Sequence, residues 1–82
     1  MSKTHEILSP LPGIFYRSAK PEAPPYKIEG DQVSVGDVIG LIEVMKQFNE
    51  ITADVAGSVL SFTIPNGEPV APGQVLAVLK LA

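Results

Sequence analysis

The stretch Gly30-Asp31-Gln32-Val33-Ser34-Val35-Gly36-Asp37-Val38-Ile39-Gly40-Leu41-Ile42 recurs in outline 37 residues later, as Gly67-Glu68-Pro69-Val70-Ala71-Pro72-Gly73-Gln74-Val75-Leu76-Ala77-Val78-Leu79. Gly falls on Gly at 30/67 and 36/73, and Val on Val at 33/70 and 38/75. Asp31 meets Glu68, and the mostly aliphatic run from Ile39 to Ile42 meets the run from Leu76 to Leu79. Each copy reads as glycine, acid, short strand, glycine turn and longer buried strand. Its β-branched residues favour a pleated surface, and its glycines punctuate the chain. Self-similarity at a fixed offset marks a repeated structural unit. The chain is therefore read as a twofold-like pair of β-halves.

The repeat reaches upstream at a different offset. Pro12-Gly13-Ile14-Phe15 resembles Ala56-Gly57-Ser58-Val59, which lies 44 residues on. The first half thus carries seven extra residues, which fall within Ser18-Ala19-Lys20-Pro21-Glu22-Ala23-Pro24-Pro25. Prolines restrict the backbone and cannot donate to a ladder, so residues 18–25 are expected to protrude as a stiff insertion. Candidate strands are Glu6–Leu8, Gly13–Arg17, Tyr26–Ile28, Val33–Val35, Val38–Val44, Phe48–Ala53, Ser58–Ile64, Pro69–Val70 and Val75–Leu81. No window of eleven or more residues carries an uninterrupted, capped helical pattern. The fold class is all-β. Alternation places Ile39, Leu41, Ile51, Ala53, Leu60, Phe62 and Val78 in the core, with Phe48 packed beneath a hairpin.

The 82 residues make one domain, since a second core does not fit in this length. There is no Cys, which removes disulfides, thiolate catalysis and Cys-ligated zinc. A single histidine, His5, leaves no multi-His metal site and no Ser-His-Asp triad. No catalytic constellation and no metal site are expected. The net charge of −3 argues against a nucleic-acid surface. No apolar stretch reaches the roughly 20 residues that span a bilayer, and the N-terminus lacks a signal-peptide core. A cytoplasmic protein without a membrane partner is expected. The placement of charge is more specific than its sum. Between Ile28 and Leu79 the only basic residue is Lys46, among the seven acids Glu29, Asp31, Asp37, Glu43, Glu50, Asp54 and Glu68.

That lysine lies where the two halves join, in Leu41-Ile42-Glu43-Val44-Met45-Lys46-Gln47-Phe48-Asn49-Glu50-Ile51. Two β-runs flank Met45-Lys46 with no Gly or Pro between them, so the pair is placed at a hairpin tip. Two-residue hairpin turns favour Asn and Gly, and Met-Lys breaks that preference. A departure from local preference can mark a functional site. A lysine there is solvated and within reach of another enzyme.

Glu43-Val44-Met45-Lys46 resembles the attachment motif of biotinyl carrier domains, usually Glu-Ala-Met-Lys-Met. The surroundings are similar too: Val35-Gly36-Asp37-Val38 before it, then Asn49-Glu50-Ile51, Ala53-Asp54-Val55-Ala56-Gly57-Ser58-Val59 and Gly67-Glu68-Pro69-Val70 after it. Ser9-Pro10-Leu11-Pro12-Gly13-Ile14-Phe15-Tyr16-Arg17 looks like the opening of the carrier domain of bacterial acetyl-CoA carboxylase, and the Pro-rich insertion falls where that carrier has its thumb. The resemblance implies a flattened β-barrel or sandwich of two four-stranded antiparallel sheets with pseudo-twofold symmetry. It implies that Lys46 is acylated with biotin by a biotin protein ligase, and that the tethered biotin serves a biotin carboxylase and a carboxyltransferase. The carrier itself is then no catalyst. Glu43, Val44, Met45 and Gln47 become candidates for recognition by the ligase and the other partners. Pro21, Pro24, Pro25 and Tyr26 become candidates for a thumb folding onto biotin or the hairpin. Val44 stands where Ala is usual and Gln47 where Met is usual, and the latter removes one of the two thioethers beside the lysine.

Two rivals share the fold. A lipoyl carrier also uses a hairpin-tip lysine, but usually within Asp-Lys-Ala and without a thumb. An unmodified binding module would take no adduct on Lys46.

Overall fold

The repeat appears in three dimensions as two interleaved sheets. The computed structural model describes residues 3–20 and 22–81. Its eight strands are β1 (Thr4–Leu8), β2 (Gly13–Tyr16), β3 (Gln32–Val33), β4 (Val38–Val44), β5 (Gln47–Thr52), β6 (Gly57–Phe62), β7 (Glu68–Val70) and β8 (Val75–Leu81). One sheet has the order β1-β8-β6-β3 and the other β5-β4-β2-β7. Exchanging β1 with β5, β2 with β6, β3 with β7 and β4 with β8 turns one order into the other. All pairings are antiparallel. Among the described residues no ladder joins one sheet to the other, so the arrangement is a sandwich rather than a closed barrel.

The symmetry extends to single hydrogen bonds. Gly30 N donates to Val59 O, and Gly67 N to Phe15 O, at 2.8 and 2.7 Å. Gly36 N donates to Ala53 O and Gly73 N to Ser9 O, both at 2.8 Å. The four glycines have φ of 94, 84, 93 and 84°, in the left-handed region open to glycine, which is why glycine recurs at these turns. Asp37 and Gln74 fill equivalent places, their side chains accepting from Ser34 N and Ala71 N at 2.9 and 3.0 Å. The short turns of the two halves are thus built alike.

The core lies between the sheets. Phe15, Ile39, Ile42, Leu76 and Leu79 are fully buried, packed with Ile7, Val33, Ile51, Ala53, Val59, Val70 and Ala77. These side chains pair across the pseudo-twofold: Phe15 with Val59, Ile39 with Leu76, Ile42 with Leu79, Ile7 with Ile51. At 25 cal/mol per Å² of apolar area, each such large side chain stabilises the fold by about 1.5–3 kcal/mol.

Four expectations need correction. Tyr26–Ile28 is not a strand: the returning limb of the insertion makes one isolated bridge, Ser18 with Pro25, and the bond Tyr26 N to Arg17 O at 2.9 Å. Prolines at 24 and 25 have no N–H to extend that bridge. Leu60 is 46% exposed because the β6–β8 register slips between Val59 and Ser61, leaving Leu60 as the extra bulged residue. Phe48 is 58% exposed on the outer face rather than packed beneath the hairpin. Phe62 and Val78 are partly buried, Phe62 packing against the edge of the core.

The strand pair β4–β5 continues into a two-residue tip. Its symmetry mate is the pair formed by β8 and β1, the chain's last and first strands, where Leu81 N donates to Lys3 O at 2.9 Å. His5, in β1, lies against Asp54, just past the end of β5 remote from the tip. The chain's terminal strands therefore end at the pole opposite Lys46.

Candidate functional site

Val44 pairs with Gln47, so Met45 and Lys46 alone form the turn. Both have positive φ, 50° and 68°. That is the arrangement of a type I′ turn, whose backbone twist matches that of the flanking strands. Neither side chain is suited to it. A non-glycine residue in the left-handed region carries strain of roughly 1–3 kcal/mol. The β4–β5 ladder, six paired positions long, overrides this local preference. The consequence is projection: Met45 is 91% exposed, and Lys46 and Gln47 are also exposed. Lys46 takes part in none of the ion pairs among the described residues.

One groove borders the tip and a second lies beside Phe48 on the outer face of the sheet. One, of about 420 Å³, is lined by Leu11, Val44, Met45, Gln47 and Asn49, and so holds three of the four candidate recognition residues. The other, of about 290 Å³, is lined by Tyr16, Ser18, Ala19, Lys20, Phe48 and Asn66. Glu43, the fourth candidate, faces outward toward this second side, where Tyr16 Oη donates to its Oε1 at 3.2 Å. Burial, and then the charge and hydrogen bond of Glu43, push the Tyr16 phenol above its ordinary value.

The two limbs of the thumb border different grooves. Its outgoing limb, Ser18, Ala19 and Lys20, walls the groove beside Phe48. Pro24, Pro25 and Tyr26 form the returning limb; none of them lines that groove, and Pro25 borders another with Arg17, Ser18, Ile28, Glu29 and Asn66. Pro21 lies outside the described residues. The base of the thumb is fixed by Arg17. Its N–H donates to Asn66 Oδ1 at 2.7 Å, its guanidinium lies 4.1 Å above the Phe62 ring, and it reaches Glu29 Oε1 at 3.4 Å. Sequence reasoning missed Tyr16, Arg17 and Asn66 as parts of this region. Asn66-Gly67 carried only a turn signal, and nothing in the sequence announced that the turn would meet the thumb.

Among the described residues no cluster of His, Asp or Glu could hold a metal ion, and no helix is long and apolar enough to cross a membrane. What the site offers is one exposed primary amine on a two-residue tip. The family model described as biotin-requiring enzyme matches residues 5–79, and the chain belongs to that family.

The relatives narrow this. The chain is 41% identical over 78 residues to the biotin carboxyl carrier protein of acetyl-CoA carboxylase from a Nostoc species, covering 95% of the chain and 43% of the relative. It is 45% identical over 76 residues to the protein of that name from Cyanidium caldarium, covering 93% and 50%. The chain thus spans about half the length of the curated relatives it matches. Among solved structures, the urea carboxylase of Kluyveromyces lactis superposes with a TM-score of 0.76 at 27% identity, over 94% of this chain and 6% of that one. A single-chain, multi-domain long-chain acyl-CoA carboxylase shares the fold with a TM-score of 0.78 at 20% identity, over 96% and 7%.

Proposed function

We propose that the chain is a single biotinyl carrier domain spanning residues 1–82, with Lys46 the residue that takes biotin. The observation that carries this reading is the exposed Lys46 on a two-residue tip held in strained backbone geometry. The residues fit the group. The amine is free of ion pairs among the described residues, and a groove of about 420 Å³ opens against its neighbours Met45 and Gln47. In the acylation, Lys46 Nζ, once it has given up a proton to solvent, attacks the carboxyl carbon of biotin activated as its adenylate. The amide C–N bond forms as the bond to AMP breaks, and the second proton lost from the nitrogen passes to solvent. The catalyst of that step is a biotin protein ligase, and this chain supplies the nucleophile and the surface.

Bound biotin supplies the carrying of a carboxyl group between a biotin carboxylase and a carboxyltransferase. The chain's own residues supply the rest: the β4–β5 ladder fixes the amine's position, and the exposed Met45, Gln47 and Phe48 offer contacts around it. A covalent arm keeps its cargo at high effective concentration near both partner sites. The relatives favour acetyl-CoA as the acceptor whose carboxylation is served.

The test is intact mass after incubation with biotin, ATP and a biotin protein ligase, and separately with lipoate and a lipoyl ligase. One biotin adduct is expected, absent from Lys46→Arg, whose thermal unfolding should match the parent. A lipoyl adduct without a biotin adduct, or biotin retained in Lys46→Arg, overturns the reading.

A further inference from the structure

On the outer face of the β5-β4-β2-β7 sheet, register places Ile14, Glu43 and Phe48 in one row across three strands, with Tyr16, Leu41 and Glu50 in the next row away from the tip. Leu41 is buried there yet stands apart from the main core. Tyr16 reaches diagonally from its row toward the tip. Its ring meets Phe48 with centroids 6.3 Å apart, and its hydroxyl reaches Glu43 at 3.2 Å. Glu43 takes part in no ion pair among the described residues, so beyond this one donor its carboxylate is free to accept from a partner. It lies three residues before Lys46, on a strand rather than in the turn.

We propose that Tyr16 is the positioning residue for Glu43, and that the carboxylate so held is read by the enzyme that acylates Lys46; this rests on the function proposed above. A glutamate side chain has several rotatable bonds, and fixing them at the moment of docking weakens association. The Tyr16 hydroxyl selects one arrangement beforehand, and the Phe48 ring limits where the phenol can go. A phenol with an ordinary value of about 10 is already a donor across the neutral range, and burial and Glu43 move it further from that range. At 3.2 Å the bond is long for a hydroxyl and a carboxylate, so it biases Glu43 toward one arrangement rather than locking it. Docking then meets a charge already in position, a device that acts on recognition of the free carrier and not on the chemistry of amide formation.

Tyr16→Phe keeps the ring against Phe48 and removes only the hydroxyl. With biotin protein ligase, biotin and ATP, the KM for this carrier should rise about three- to tenfold while kcat stays unchanged. Glu43→Gln should raise KM as well, and the double variant should be no worse than Glu43→Gln alone, because the hydroxyl acts through the carboxylate. Titration of phenolate absorbance in a Tyr26→Phe background should show the Tyr16 midpoint falling in Glu43→Gln. An unchanged KM in Tyr16→Phe, additive effects in the double variant, or an unmoved midpoint would each overturn the proposal. An acceptor that takes no biotin at all overturns the preceding reading instead, and the phenol titration still judges the Tyr16–Glu43 coupling.

Discussion

Met45 has φ of 50°, a conformation that asparagine enters far more readily than methionine. Met45→Asn should therefore stabilise the domain by up to about 1 kcal/mol, and a change of that size moves Tm by about 4–8 °C in a domain this small. Thermal unfolding measures it directly; a lower Tm would show that the methionine contributes contacts outweighing its strain. Lys46, at φ 68°, carries the same kind of burden. Two adjacent strained residues at an exposed tip fit a turn whose side chains are not chosen for stability alone. The departure of Met45-Lys46 from turn preference was visible in the sequence. The contact between Tyr16 and Glu43 was not, because it depends on β2 lying beside β4, a neighbour relation no local pattern states.

At the scale of elements, the turns of the two halves are clamped by side chains. Asp37 Oδ2 accepts from Ser34 N at 2.9 Å and lies 3.4 Å from Lys27 Nζ. The Ser34 N–H holds the Asp37 carboxyl below the usual carboxylate range, and the hydrogen bond and charge of Lys27 act in the same sense against the opposing effect of burial. A carboxyl depressed in the folded state adds stability that is present above its unfolded value, about 3.9, and lost as pH falls through the folded one. Stability measured by urea unfolding from about pH 5 down to about pH 2.5 should decline less steeply in Asp37→Asn than in the parent. Equal slopes would mean the clamp is silent. The elements themselves were mostly legible. Glycines spaced six apart and aliphatic runs after them marked β3–β4 and β7–β8, and the offset of 37 residues tied the two together. Where the reading failed, long-range register decided the outcome. The bulge at Leu60 arises only in pairing with β8. Phe48 and Ile51 lie three apart on one strand, so alternation sends them to opposite faces, and Ile51 is the one the core takes.

For the whole molecule, pseudo-symmetry makes a quantitative demand. A Cβ on Gly13 would collide with the Glu43 carbonyl oxygen and lie 2.7 Å from Ile42 Cγ2. On Gly57 it would collide with the Lys80 carbonyl oxygen, the equivalent position of the other half. Both obstacles include main chain, which cannot turn aside as a side chain can. Gly13→Ala and Gly57→Ala should each destabilise by about 1–3 kcal/mol, within about 1 kcal/mol of one another, in denaturant midpoints. A large cost at one site only would mean that the halves share shape without sharing rigidity.

The opposed placement of the tip and the terminal strands also makes the domain a boom. Any segment joined to β1 or β8 holds it by one pole, while Lys46 is carried at the other. The domain's longest dimension is 40 Å. Mounted on a flexible tether, such a body extends the sphere swept by the lysine by up to that length without a single added residue of disordered chain. Its stiffness spares the entropy that an equally long random segment would lose on docking.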